Sequence, residues 1–464
     1  MYSTILLIFV AISAVVALQN WRLGLLLCVV VGVLQDPVRK VTPGTPIYLT
    51  LAFVPIYAAM FLNLWTTHPV LPSFFRHYPR SETVAMLVLL ALLVSSVQTL
   101  SYGLQAWQAV ALGLGFYVGW IPALFLGFFY LRRDYRELDR PLIVFGALTS
   151  LMLGGTLLEY FGVRFPVPLL GMVATVGEQR RWFNDTEWVS MLSGFYRSPE
   201  IMAWHAATLV IVSVYLLVRR PSWAALWVPQ AAWGLIAVFL GGRRKMFILI
   251  LVFAGLFALL AEGRRRVGIV FYLLLAGVVL AFASSYFVDS RYLDTAGTGF
   301  RVFEKRVSSQ TVTGPLWLVG VVGPFGYGVG TRTQGTQHLD TDFDKIVPVV
   351  EGGFEKVMVE LGIVGTVVML VFVVFLVRII LLSFKRTWAS RMDSTPVAGL
   401  AAFLLANALT YLVAFQVYGD PFLGFLLGFS SGLLLSASRL VAQGQTAPMA
   451  RAARAATAPA QPAA

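Results

Sequence analysis

The apolar residues of this chain come in long blocks separated by short polar stretches; neither the two-residue alternation of a strand nor the narrow stripe of a surface helix dominates. The blocks approach the roughly 20 residues that cross a hydrocarbon core as helix. They predict helices over 3–18, 21–34, 47–65, 83–100, 108–131, 142–161, 200–218, 223–240, 245–261, 267–287, 353–377, 397–416 and 421–437, the first two short enough to form a hairpin. No basic run precedes the first block and no small-residue cleavage site with a soluble domain follows it, so it reads as a retained helix and not as a signal peptide. Pro55 and Pro122 fall inside predicted helices, where a membrane tolerates the kink. The expected fold class is an all-α, polytopic transmembrane bundle of about 12–13 helices over residues 1–441, followed by a polar, Ala- and Pro-rich stretch, 442–464, that reads as a disordered cytoplasmic tail.

Basic loops are retained on the cytoplasmic side of a membrane. Arg132, Arg133, Arg136 and Arg140, Arg219 and Arg220, Arg264 to Arg266, and Arg378, Lys385, Arg386 and Arg391 all fall on one side of this threading. With that side cytoplasmic, two long segments, 162–199 and 288–352, lie outside with most of the acidic residues, and that face is where function is expected.

Composition agrees. Of 464 residues 58% are hydrophobic and 12% charged, with mean hydropathy +0.79, which excludes an ordinary soluble enzyme, a disordered chain and an alternating β-barrel. The single cysteine, Cys28, rules out an intramolecular disulfide and a cysteine metal site. The net charge of +13 reads as the retention signal and attraction to anionic membrane lipid, not as a nucleic-acid surface.

One basic group breaks the topology rule. Gly241-Gly242-Arg243-Arg244-Lys245 sits on the outer side, directly before an apolar helix whose N-terminal dipole already disfavours cations. An anion there offsets both penalties, and a phosphate or pyrophosphate suits the fork of arginines; headgroup snorkelling is the bland alternative. The first outer segment mixes aromatics with Arg180, Arg181 and Arg197, which fits a saccharide face or an interfacial aromatic belt. Ser198-Pro199 reads as a helix start, and His205 as a packed histidine. The second outer segment carries Arg301, Arg306 and Arg332, a glycine-rich run from Gly320 to Gly330, and Asp340, Asp342 and Asp344. Those aspartates suit a divalent cation but lack the glycine and terminal Glu of an EF-hand, so they read as a solvated acidic turn. Gly328-Val329-Gly330 is a weak candidate anion nest. Glu351, at the predicted membrane surface between the loop and a helix, suits a general base; a helix-dipole charge is its alternative. Glu355 lies one turn on, and Glu360, half a turn round from Glu351, reads as structural.

Three of these places together resemble the O-antigen ligase and polymerase family, polytopic membrane glycosyltransferases that use undecaprenyl-diphosphate-linked glycans. Gly194 to Ala203 is similar to the family's Gly-aromatic-x-x-Pro-Asn segment, with Glu200 in the place of Asn. Arg243-Arg244-Lys245 resembles the family's arginine at a helix start, Arg244 matching best. Gly328-Val329-Gly330 followed by Glu351 to Gly365 resembles the family's Gly-x-Gly and His-Asn before Glu-Leu-Gly-x-x-Gly, with Glu351 at the His position and Glu360 to Gly365 as the ending. The resemblance implies a GT-C-like fold in the bacterial inner membrane, its active face periplasmic. It implies glycan transfer or polymerisation without metal or cofactor, in which Glu351 and Arg244 are catalytic. Arg243, Lys245, Arg197, Arg301, Arg306, Arg332 and Glu355 would bind substrate. A chain-length regulator and a flippase are the partners it implies. The Glu in place of His favours a polymerase or exopolysaccharide member over a lipid ligase. Transfer to a lipid or protein acceptor, and transport of an anionic or lipid-linked substrate, stay open; few ionisable residues inside the helices and no visible internal repeat speak against transport.

Overall fold

A computed structural model describes residues 2–132, 134–172, 180–182, 188–261, 268, 308–336, 339, 343–389 and 393–457. The predicted helix over 267–287 lies outside the described residues, apart from Gly268. The described chain is almost wholly helical. Its long elements are α1 (Tyr2–Gln19), α2 (Trp21–Val41), α3 (Val54–Thr67), α4 (Val70–His77), α5 (Ser81–Leu100), α6 (Trp107–Val118), α7 (Ile121–Tyr130) and α8 (Asp139–Tyr160). A two-stranded antiparallel ribbon, β1 (Arg180–Trp182) with β2 (Trp188–Ser190), stands in the first long loop. Then come α9 (Pro199–Arg219), α10 (Ala224–Leu240), α11 (Arg244–Leu260), α12 (Gly314–Val321), α13 (Phe343–Ile346), α14 (Gly353–Ala389), α15 (Thr395–Val413) and α16 (Pro421–Thr457). Among the described residues eleven helical segments are long and apolar enough to cross a membrane, and Lys245–Leu260 is a shorter apolar helix.

Two of the predicted blocks are divided at their prolines. Pro55 and Pro122 stand at the starts of α3 and α7, where the missing N–H costs nothing, so each proline opens a helix and does not kink one. Between α6 and α7 the Tyr57 phenol donates to the Gly119 carbonyl at 2.8 Å and accepts from the Ala123 N–H at 2.7 Å, supplying partners where the helix stops. The amphipathic α4 is a further element that the block pattern does not show. The last helix runs through the Ala-rich stretch 442–457, read from composition as tail; alanine's high helix propensity accounts for the continuation.

Packing makes one large core and two smaller clusters, one around Ala109, Leu318 and Val359 and one around Leu92, Tyr117 and Leu361. Helix α9 is nearly enclosed, lying between α8, α10, α11 and α15. Helix α16 runs along α7 with its backbone close to it: a Cβ on Gly432 would meet the Leu124 carbonyl oxygen at 1.9 Å, and one on Gly428 the Trp120 carbonyl oxygen at 2.4 Å. This is the small-residue contact, four residues apart, that draws membrane helices together.

Ion pairs and hydrogen bonds sort the connections into two ends. At one end Asp139 pairs with Arg219 and Arg220, and Arg439 donates to the Phe128 carbonyl. At the other lie the end of α2, residues 161–172 and 188–198, the 241–243 turn, residues 322–336 and 343–352, and the link between α15 and α16. The sequence threading puts those same connections on one side.

Helix α14 is two helices meeting at Gly362, whose backbone is left-handed and extended (φ 71°, ψ −172°). Breaking an apolar helix frees carbonyls that must find other donors. The glycine-rich run provides them: Tyr327 N–H donates to the Val359 carbonyl at 2.8 Å and Gly328 N–H to the Glu360 carbonyl at 3.0 Å, while Val364 N–H turns to the Pro324 carbonyl at 3.1 Å. The Ser95 hydroxyl adds a bond to the Glu360 carbonyl at 2.8 Å. Gly326 and Gly362 touch through bare backbone, a Cβ on either lying within 2.5 Å of the other's nitrogen. Substituting Gly362 with Ala is expected to destabilise the protein by about 2–4 kcal/mol through the disfavoured φ and the clash. Gly320→Ala, where a Cβ meets nothing within 4 Å, should stay within about 0.5 kcal/mol; unfolding in detergent compares the two.

Candidate functional site

Helix α10 ends on Gly241, Gly242 takes a left-handed turn (φ 61°), and Arg243 becomes the residue before α11. The turn lies against Met191 and Met202, where side chains at either glycine would crowd. On the facing helix, Ser198 caps α9 through its hydroxyl, Pro199 takes the first position and Glu200 the first turn. The Glu200 carboxylate forms an ion pair with Arg243. The anion that the cations before α11 require is therefore supplied, for Arg243, from within the chain, by the residue standing where the family segment has Asn. Lys245 donates to the Gln416 side-chain oxygen at 3.0 Å. The backbone of Arg244 opens α11; its side chain lies outside the described residues.

Gln416 belongs to the link between α15 and α16, and this short connector touches several of the candidate residues. The Phe415 N–H donates to the Glu351 carbonyl at 3.3 Å. Tyr418 donates to Asn407 at 3.2 Å, and Trp204 of α9 donates to the same Asn407 oxygen at 2.9 Å. Gly419 backs directly onto Gln334, and Asp420 caps α16 through the N–H groups of Phe422 and Leu423 while pairing with Arg197.

Arg197 lies between two carboxylates, pairing with Asp36 at 2.8 Å and with Asp420. Nearby, Lys40 donates to the Gly194 carbonyl at 2.6 Å and to the Gly171 carbonyl, and Glu159 accepts from Gly194 N–H at 2.6 Å and Ser193 N–H at 3.0 Å. The Gly194–Arg197 segment is thus clamped to α2, α8 and the connector by buried charges. Tyr196 within it is fully buried against His205, its ring centroid 4.8 Å away, and burial pushes its phenol well above the ordinary value. His205 bonds the Ile201 carbonyl and stacks among aromatics, as a packed histidine does.

Glu351 stands exposed just before α14, with Gln310 donating to its carboxylate at 3.4 Å. Glu355 is turned back, its carboxylate accepting the Gly352 N–H at 3.1 Å; it is the third residue of the helix and closes the first turn as in a capping box. Arg332 reaches the carbonyls of Pro348, at 2.8 Å, and Val347, and so holds the strand of chain that leads to Glu351. Arg301, Arg306, His338, Asp340 and Asp342 lie outside the described residues, as does the Asp344 side chain. Among the described residues no group of three or more His, Cys, Asp or Glu is placed to hold a metal ion. Gly328-Val329-Gly330 is not an anion nest: the Gly328 and Val329 N–H groups are bonded to Glu360 and Ser95 carbonyls, and Gly330 abuts Ala109 of α6.

Beneath Glu351 is a network that no motif suggests. Lys356 and Glu360, both fully buried, pair at 2.6 Å one turn apart on α14. Glu360 also accepts from Tyr117 at 2.8 Å, from the Arg332 N–H at 2.9 Å and from the Thr333 hydroxyl at 3.0 Å. Lys356 donates to Thr333 at 3.1 Å and lies over the Phe116 ring at 4.0 Å. Glu360, read as structural from its helical phase, lies fully buried in this network, and the i,i+4 spacing of Lys and Glu in an apolar helix is the signal that could have revealed its partner.

No protein-family model matches the chain, and no curated protein matches it.

The buried pair yields a stability prediction. Lys356→Met alone leaves Glu360 uncompensated and is expected to cost about 3–5 kcal/mol. Adding Glu360→Gln to it should recover part of that loss, since the neutral amide no longer needs a cation. Unfolding of the two variants in detergent checks this, and a further loss in the double variant would contradict the coupling.

Proposed function

We propose that this chain is a membrane glycosyltransferase that transfers or polymerises glycan repeat units from a polyprenyl diphosphate, undecaprenyl diphosphate by resemblance, with a GT-C-like arrangement on the outer face of a bacterial cytoplasmic membrane. The observation that carries the reading is the convergence on one connector: adjacent residues Phe415 and Gln416 bond the Glu351 main-chain carbonyl and the Lys245 side chain, while Arg243 is held by Glu200 in the first turn of α9. A carboxylate and a set of cations meeting at one membrane end is what displacement at an anomeric carbon needs.

In that reaction Glu351 takes the proton of an acceptor hydroxyl, the acceptor oxygen forms a bond to the anomeric carbon, and the bond from that carbon to the diphosphate oxygen breaks. The lipid diphosphate leaves with the electron pair, and Arg243, Arg244 and Lys245 stabilise its charge. Arg197, predicted as a substrate contact, is in this reading an organiser, since both sides of its guanidinium face aspartates. Glu355 and Arg332 act likewise on the approach to Glu351.

The test is glycan transfer in proteoliposomes loaded with a polyprenyl-diphosphate glycan extracted from the producing cells. Glu351→Gln is expected to lower the transfer rate by roughly 10²–10⁴-fold, the range for a general base. Arg243→Ala and Arg244→Ala should each lose at least about tenfold. A product ladder indicates polymerisation and a single product indicates ligation; movement of the lipid across the bilayer without any new glycosidic bond would establish transport and overturn the enzyme reading.

A further inference from the structure

The segment before α12 brings an unassigned residue to Glu351. Ser309–Thr313 is a π-helical turn, a form that often marks functional sites because it redirects one side chain within a helix. It points Gln310 inward, leaving 7% of the residue exposed. Its side-chain nitrogen donates to the Glu351 carboxylate at 3.4 Å, and a Cβ on Gly352 would lie 3.2 Å from the Gln310 Cβ, so the two segments are in contact. A carboxylate can only accept, so the amide must present its N–H side to Glu351. The other side of the amide, Oε1, is buried and has no hydrogen-bond partner among the described residues. Gln310 is thus a rigidly enclosed donor with its N–H face turned to an exposed carboxylate, at a cost in unsatisfied polarity that packing alone does not explain.

We propose that Gln310 is a positioning residue for the glycosyl transfer, holding the Glu351 carboxylate turned toward the acceptor hydroxyl. This rests on the reading of Glu351 as the base. Among the described residues, Glu355 on α14 interacts with Glu351, Tyr411 on α15 packs against the neighbouring Gly353, and Arg332 holds the Val347–Pro348 turn that leads to it. A donor held in place by its own burial fixes the orientation of the carboxylate, so its loss lets Glu351 turn away from the acceptor and slows transfer without weakening substrate binding.

The experiment compares wild type, Gln310→Met, Gln310→Glu and Glu351→Gln in the proteoliposome transfer assay, with folded protein matched by thermal unfolding. Gln310→Met is expected to lower kcat about tenfold with acceptor KM changed less than about twofold, as for the loss of one hydrogen bond to a charged group. Gln310→Glu, of the same size, removes the donor and sets a second carboxylate against Glu351, and should lower kcat further. If Glu351→Gln abolishes transfer but both Gln310 variants keep the wild-type kcat, Gln310 has only a packing role and the proposal is overturned alone. If Glu351→Gln transfers at the wild-type rate, or wild type forms no glycosidic bond, the base reading fails and this proposal falls with it.

Discussion

Inside a hydrocarbon layer every backbone N–H and carbonyl needs a partner within the protein, and that constraint organises the end of this molecule that carries the candidate site. Gly362 interrupts α14, and the carbonyls of Val359 and Glu360 lose their helical donors there. The glycine-rich run between Gly323 and Gly330 fits into the break because bare backbone can approach bare backbone, and its N–H groups take over the bonding. Once docked, the run carries Arg332 and Thr333 to the Glu360 side chain, and Arg332 in turn fixes the turn that precedes Glu351. The position of the candidate base is therefore a consequence of a broken helix several residues away.

The same end is held together by charges that neutralise one another. Lys356 with Glu360, Arg197 with Asp36 and Asp420, and Arg243 with Glu200 are pairs between residues that are costly to bury singly. The pairs of Arg197 and Arg243 join elements distant in sequence, and the Lys356–Glu360 pair, within α14, receives the Arg332–Thr333 segment through Glu360. Such pairs add little net stability over apolar packing, but they fix register, because a slipped arrangement leaves an uncompensated charge.

Much of the helical bundle was legible in the chain, because blocks of apolar residues at membrane length leave few alternatives. The two divided blocks show the limit: Pro55 and Pro122 mark helix starts, which hydropathy cannot separate from kinks, and the partner that closes the second break, Tyr57, lies in another helix. The site was legible at its helix starts, where Arg243, Lys245 and Glu351 break the hydropathy pattern. What they contact was not. Glu200 carries no sign of its partner in the sequence, and only folding reveals that it meets Arg243. Gln310, an ordinary polar residue in a polar loop, gives no signal until a π-helical turn sets it beside Glu351. Glycines at 328 and 330 suggested an anion nest, but spacing alone cannot say whether their N–H groups face a ligand or a neighbouring backbone.

The central claim is that the α10–α11 turn and the approach to Glu351 meet on the connector between α15 and α16. It is tested most directly by paired cysteines at Lys245 and Gln416 in membranes, with the native Cys28 replaced. The structure predicts rapid cross-linking by a short bifunctional reagent, with no such product from a control pair joining position 245 to a residue at the opposite end such as Arg439. Failure of the 245–416 pair to cross-link in folded protein, or equal cross-linking in the control, would contradict the account.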